Sequence, residues 1–78
     1  MSETKTVQEV IESVGIEKKD LDGKINRLNE FLANKEQSGH LSSEYYWAVV
    51  NQSRAMEIYS SMLKSRLELL KLNKHLEI

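Results

Sequence analysis

Val7, Ile11, Val14, Lys18, Leu21, Ile25, Leu28 and Leu32 follow one another at alternating steps of four and three residues. Such steps form a heptad seam along one side of a helix, and Lys18 is its single polar member. Thr6 with Glu9 three residues on reads as a capping box, which satisfies free backbone N–H groups, so the helix is expected to begin near Thr6. Gly15 and Gly23 lie inside the span and each costs roughly 1 kcal/mol relative to alanine. A kink or break, at Gly15 before Gly23, is therefore an open alternative to one continuous helix. The seam stops at Ala33, and Asn34 to Gly39 has the composition of a connecting loop.

A second start follows at once. Leu41, Ser42 and Tyr46 have the spacing of a hydrophobic staple around a serine cap, and Glu44 stands in the first turn, where the helix dipole favours negative charge. No glycine or proline interrupts the chain from Ser43 to about Lys74, which predicts a helix of roughly 30 residues and about 45 Å. Its main stripe is read as Tyr45, Val49, Gln52, Met56, Tyr59, Leu63, Leu67 and Leu70. The short connection makes the two helices antiparallel neighbours. The expectation is one all-α domain over residues 1–78, a long helical hairpin with a helix at about 6–34, a loop at 35–42 and a helix at about 43–75.

The second helix carries more apolar surface than one partner covers. Ala55, Met62 and Leu69 border the main stripe, and Trp47, Ile58, Leu72 and Leu76 continue around the back. That leaves Ser53, Glu57, Ser60, Lys64, Glu68 and Lys71 for solvent. A lone hairpin hides little, and an exposed apolar patch of this size marks an interface. The hairpin is accordingly expected to assemble into a homo-oligomeric helix bundle, most simply a dimer, through Tyr45, Val50, Ile58, Met62, Leu69 and Leu72.

Composition narrows the chemistry. The 78 residues include no cysteine and no proline, and 40% are apolar against 29% charged. This describes a soluble helical protein with no disulfide scaffold, thiolate metal site or cysteine nucleophile. No apolar run spans a bilayer and no leader peptide is visible, so the expected setting is the cytoplasm, away from membranes. The net charge of −1 gives no general pull towards nucleic acid. Charge is uneven, however: residues 1–23 hold three lysines against six acids, whereas residues 45–78 hold five bases against three acids.

Short chemical patterns weigh little here. Ser61-Met-Leu-Lys64 has the Ser-x-x-Lys spacing of serine acyltransferases but lacks their partner motifs. Asp20, Asp22 and Gly23 share the opening of a calcium loop, yet Lys24 stands at the third ligand position and no glutamate closes it. His40 and His75 are the two imidazoles and have no second ligand four residues away, so neither a metal nor any other cofactor is expected. Asn51-Gln52-Ser53 fits a glycosylation pattern but falls in mid-helix. Gln52 within the stripe and Arg66 at its border either fix register and oligomer state or point into a pocket that holds an anion. Tyr45, Tyr46 and Trp47 spread over most of the helix circumference, with Tyr45 read as core and Tyr46 as staple. Trp47, Val50 and Arg54 form one line, in which an aromatic plane beside a guanidinium can stack a base and hold a phosphate.

Glu17-Lys18-Lys19-Asp20-Leu21 through Lys24-Ile25, Leu28 and Phe31-Leu32, followed by Gln52, Met56, Tyr59, Leu63 and Arg66-Leu67, resembles a family of small bacteriophage proteins named after an open reading frame of crAss-like phages. The pattern covers about residues 17–67 and departs at Trp47-Ala48-Val49-Val50, where a leucine pair is expected. The resemblance implies a non-enzymatic phage accessory protein that counters bacterial immunity inside the infected cell. The most concrete form is sequestration of a cyclic nucleotide in an oligomer interface, with Trp47, Arg54, Tyr59, Lys64 and Arg66 as ligand-binding residues. The alternative is a helical module that binds and inhibits a host protein through Trp47, Ile58 and Leu72. Binding of structured RNA along Lys64, Lys71, Lys74 and His75 ranks third, because Glu57 and Glu68 interrupt that face.

Overall fold

The computed structural model describes residues 6–72. Helix α1 runs Val7–Ala33, α2 is a single turn at Lys35–Ser38, and α3 runs Ser43–Leu72. α1 and α3 pack as an antiparallel all-α hairpin, and among the described residues no strand is present.

The capping box is formed. Thr6 Oγ1 accepts from the Glu9 N–H at 3.1 Å and the Thr6 N–H donates to Glu9 Oε1 at 3.0 Å, so two of the free amides at the helix start are satisfied. α1 then passes through Gly15 and Gly23 without a break. The seam residues on both sides of each glycine are held against α3, which outweighs the local propensity cost. Val7, Val14 and Ile25 are buried, and the other five seam residues are half-buried. Lys18 lays its stem in the seam and carries its ammonium outward to Asp22 Oδ2, 2.6 Å away and one turn on.

The connection is more ordered than a loop. Asn34 Oδ1 accepts from the N–H groups of Glu36 and Gln37, capping α2, and the buried Ser38 hydroxyl donates to the Leu32 and Asn34 carbonyls. Gly39 is required where it stands, because a Cβ there would collide with the Lys35 carbonyl oxygen. Ser42 caps α3 by accepting from the Tyr45 N–H at 3.2 Å. Leu41 and Tyr46, the two arms of the expected staple, line one concavity at the turn, and Trp47 meets the Tyr46 ring edge-on at a centroid distance of 5.6 Å.

α3 is rotated from the sequence reading. Val49, Met56, Leu63, Leu67 and Leu70 face α1 as expected, but the residues that complete the seam are Tyr46, Ser53 and Ser60. Tyr45, Gln52 and Tyr59, read as core, are exposed, and Ser53 and Ser60, read as solvent-facing, are buried. Arg66 is likewise exposed, so neither it nor Gln52 is a buried polar residue of the hairpin core. The cause is polar pairing between the helices. Ser53 Oγ donates to Asn29 Oδ1 at 2.6 Å and Ser60 Oγ donates to Asp22 Oδ1, two bonds separated by seven residues on each helix. Small serines let the helices approach, and the acceptors on α1 satisfy the hydroxyls that burial removes from water.

These contacts also set a pH dependence. Hydrogen bonds from Lys18 and then from Ser60 hold the Asp22 carboxyl below the usual carboxylate range, against a smaller opposing effect of desolvation. A carboxylate whose folded value is lowered stabilises the fold above its unfolded value, about 4, and that stability is lost as pH falls through the folded value. The urea midpoint of the native chain is therefore expected to drop as pH is lowered below about 4, and Asp22→Asn to drop less over the same range. Equal drops would assign the acid sensitivity to other carboxylates.

The hairpin measures 50 × 27 × 14 Å, and its thinnest dimension is about one helix diameter. It is one layer, so α3 keeps a side that α1 never reaches. Among the described residues, no helix is long and apolar enough to cross a membrane.

Candidate functional site

Lys24, Arg27 and Phe31 stand three and four residues apart on α1 and so share one side of the helix, beside the seam and away from Asp22 and Asn29. Across from them, Gln52 and Met56 come from α3. Together with Leu28 these side chains line an open cleft of 360 Å³. Two cations and no carboxylate border it, with an aromatic ring and a side-chain amide beside them. An anionic ligand finds there charge, a stacking plane and a hydrogen-bonding group. The Arg27 guanidinium lies back over Gly23, where a Cβ would sit 3.4 Å from Nη1. Arg27 and Phe31 also line an adjoining hollow of 580 Å³ with Glu30, Asn34 and Gln37.

The residues expected to bind a ligand are all exposed and all on α3, but one chain does not bring them together. Tyr59 and Arg66 continue the line of Gln52 at heptad steps, Tyr59 beside the Lys24 end of the cleft and Arg66 two turns beyond it. The register set by Asp22–Ser60 and Asn29–Ser53 puts Lys24 at about the level of Tyr59. Lys64 stands on the opposite flank of α3, on the Glu57 side, and Trp47 and Arg54 stand on its back. Of the residues expected in an oligomer interface, Tyr45, Ile58, Met62, Leu69 and Leu72 are 57–75% exposed, and Val50 is half-buried.

The Sequestin family model matches residues 8–69. The chain belongs to the Sequestin family. Curated proteins and solved structures give no match. The Sequestin span takes in the stretch from Glu17 to Leu67 on which the sequence resemblance rests, and with it every residue that lines the cationic cleft.

Other candidate chemistry does not assemble. Asp22 is engaged by the Lys18 ammonium and the Ser60 hydroxyl. Ser61, Lys64 and His40 are exposed, and among the described residues no three His, Cys, Asp or Glu side chains gather as metal ligands. Lys74, His75 and Leu76 lie outside the described residues. Lys24 and Arg27 line the cleft and were not among the residues expected from the sequence. Their signal was local: two cations and an aromatic ring on one side of a helix whose other face is the seam.

Proposed function

We propose that this Sequestin family member is a non-enzymatic binding protein that holds a small anionic signal, a cyclic nucleotide, away from its receptor. The observation that carries this reading is the cleft between α1 and α3, bordered by Lys24, Arg27, Phe31 and Gln52 with no acid among its lining residues. Cations neutralise a phosphodiester, Phe31 in the cleft and Tyr59 beside its Lys24 end offer faces to bases, and the Gln52 amide supplies both donor and acceptor. The family name supports retention in place of turnover. Holding a ligand needs no bond-making step, only affinity and enough copies to lower its free concentration.

The cleft is open in one chain, and α3 presents its apolar side to solvent, which supports a site completed between copies. The resemblance of residues 17–67 to small phage proteins supports the setting, an infected bacterial cytoplasm in which the protein counters immunity. Calorimetry with a panel of cyclic di- and trinucleotides tests the proposal. Saturable binding at micromolar concentration or tighter is expected for at least one member, and a folded protein that binds none of them removes the reading.

A second reading draws on Trp47, Ile58 and Leu72, which are 56%, 61% and 75% exposed. Large side chains on one helix suit a groove in a host protein that the chain would inhibit. A stoichiometric protein partner recovered from bacterial lysate, with no nucleotide carried along, favours that role.

A further inference from the structure

We infer that α3 pairs with α3 of a second copy, antiparallel and centred between Ile58 and Tyr59, and that Arg66 of the second copy completes the cationic cleft. The inference deepens the sequestration reading at the Gln52 end of the cleft, while its register rests on α3 alone.

Three adjacent heptad lines of α3 lie outside its seam with α1. Their middle is Ala48, Ala55, Met62 and Leu69. One flank carries Gln52, Tyr59 and Arg66, and the other carries Asn51, Ile58 and Ser65. From Tyr45 to Leu72 the only charge on the three lines is Arg66. Such a surface suits another helix far better than water.

The order of residues says which helix. The middle line runs from small to large, and folding it back on a copy of itself lays Ala48 against Leu69 and Ala55 against Met62 of the second copy. Small opposite large is what interdigitation at close helix spacing requires. A two-fold axis between Ile58 and Tyr59 also sorts the flanks. Tyr59 meets its own copy on one side and Ile58 meets its own copy on the other. One polar level sets Gln52 beside Arg66 of the second copy, and the other sets Asn51 beside Ser65. Between Ala48 and Leu69 apolar residues meet apolar ones and polar residues meet polar ones.

Neighbouring registers lose this match. A slip of one heptad towards the N-terminus sets Tyr59 against Gln52 and Ile58 against Asn51. A slip the other way sets Tyr59 against Arg66 and Ile58 against Ser65. Either leaves aromatic or aliphatic surface facing groups that seek water.

The functional consequence follows from where Gln52 stands. It lines the cleft with Lys24, Arg27 and Phe31, and its flank of α3 is the one between the middle line and α1. Arg66 of the second copy, level with Gln52, brings a third cation to that cleft. The paired Tyr59 residues lie between the two symmetry-related clefts, so each bound anion is held by residues of both copies.

The absence of native cysteine makes the register directly readable. Ala55→Cys and Met62→Cys are prepared separately, both at exposed positions of the full chain. In the inferred register residues 55 and 62 of different copies are level. Like residues are separated by seven positions, about 10 Å along the axis, beyond the reach of a disulfide. Mild oxidation of each variant alone is expected to give no covalent dimer, and an equimolar mixture to give one. A covalent dimer from A55C alone or from M62C alone overturns the register, because it reports a slipped or parallel pair, and no cross-link in any of the three samples overturns the pairing.

Nucleotide titration of the same samples separates this inference from the sequestration reading. A cross-linked mixture that binds no cyclic nucleotide sinks sequestration and leaves the pairing. Binding by a chain that never cross-links sinks the pairing and leaves sequestration. Arg66→Glu is expected to weaken binding at least tenfold while helix content is unchanged, and unaltered affinity would remove Arg66 from the site.

Discussion

Leu63→Ala is expected to lower the melting temperature of the chain by roughly 10 °C or more. Leu63 is the one large residue of α3 with no exposed surface, and it sits between Ser60 and Leu67 in the face that meets α1. Truncating a fully enclosed leucine removes its transfer free energy and leaves a void, typically about 2–5 kcal/mol in all. Only Val7, Val14, Ile25, Val49 and Leu63 form the buried apolar core of the described residues. A fold with so few enclosed side chains has little other apolar burial to fall back on, and total stabilities of small domains are themselves only about 5–15 kcal/mol. Circular dichroism at 222 nm on heating checks it, with Lys64→Ala as the comparison, a neighbour on the same turn that is exposed. If the two variants melt within about 3 °C of each other, the face of α3 assigned to α1 is wrong.

Leu63 belongs to both versions of the α3 seam, which shows what the sequence can and cannot reveal about this hairpin. The seam of α1 was legible because its eight members stand at heptad steps with polar residues on most of the remainder of the helix, so only one phase buries them. The first-turn caps at Thr6 and Ser42 were legible because they depend on residues three positions apart. α3 offers two phases that share Val49, Met56, Leu63, Leu67 and Leu70. Tyr45 and Tyr59 make one of them the more apolar, whereas Ser53 and Ser60 make the other the one that α1 accepts.

That choice is a property of the pair of helices. Asp22 and Asn29 on α1 have the same seven-residue spacing as Ser53 and Ser60, in the reverse order that an antiparallel partner needs. Apolarity counted along one helix cannot register such a match. The aromatic line that lost the hairpin phase then becomes surface, and Tyr59 and Gln52 move from the core to the edge of the cleft. The short helix Lys35–Ser38 was hidden for a different reason, since its four residues bury no stripe and only Asn34, as cap, marks its start.

The same bias affected the candidate site. The five bases of residues 45–78 make α3 the cationic end of the chain by count, whereas Lys24 and Arg27 lie in a stretch where acids balance them. Balance along the chain is not balance in space. Glu30 faces the neighbouring hollow and Glu44 stands at the start of α3, so the acids that cancel these cations in the count do not line the 360 Å³ cleft.

On the proposed sequestration reading, reversing both charges, Lys24→Glu with Arg27→Glu, is therefore expected to abolish cyclic nucleotide binding. A charge-assisted contact to phosphate contributes about 1.5–3 kcal/mol, and each 1.4 kcal/mol is about a tenfold change in affinity. Two lost contacts already amount to at least about a hundredfold, and two new carboxylates at the cleft add repulsion to the loss. Both side chains are exposed and outside the α1 seam, so helix content and melting should stay close to those of the native chain. Arg54→Glu and Lys64→Glu give the contrast, because they change charge on the back and the far flank of α3, where only long-range screened attraction reaches the cleft. These are expected to weaken binding by no more than about threefold at 0.15 M salt. Isothermal titration of the three proteins decides it. If the α3 reversals cost more affinity than the α1 pair, the ligand sits on the back of α3, among Trp47 and Arg54, and the groove between the helices is only a packing seam.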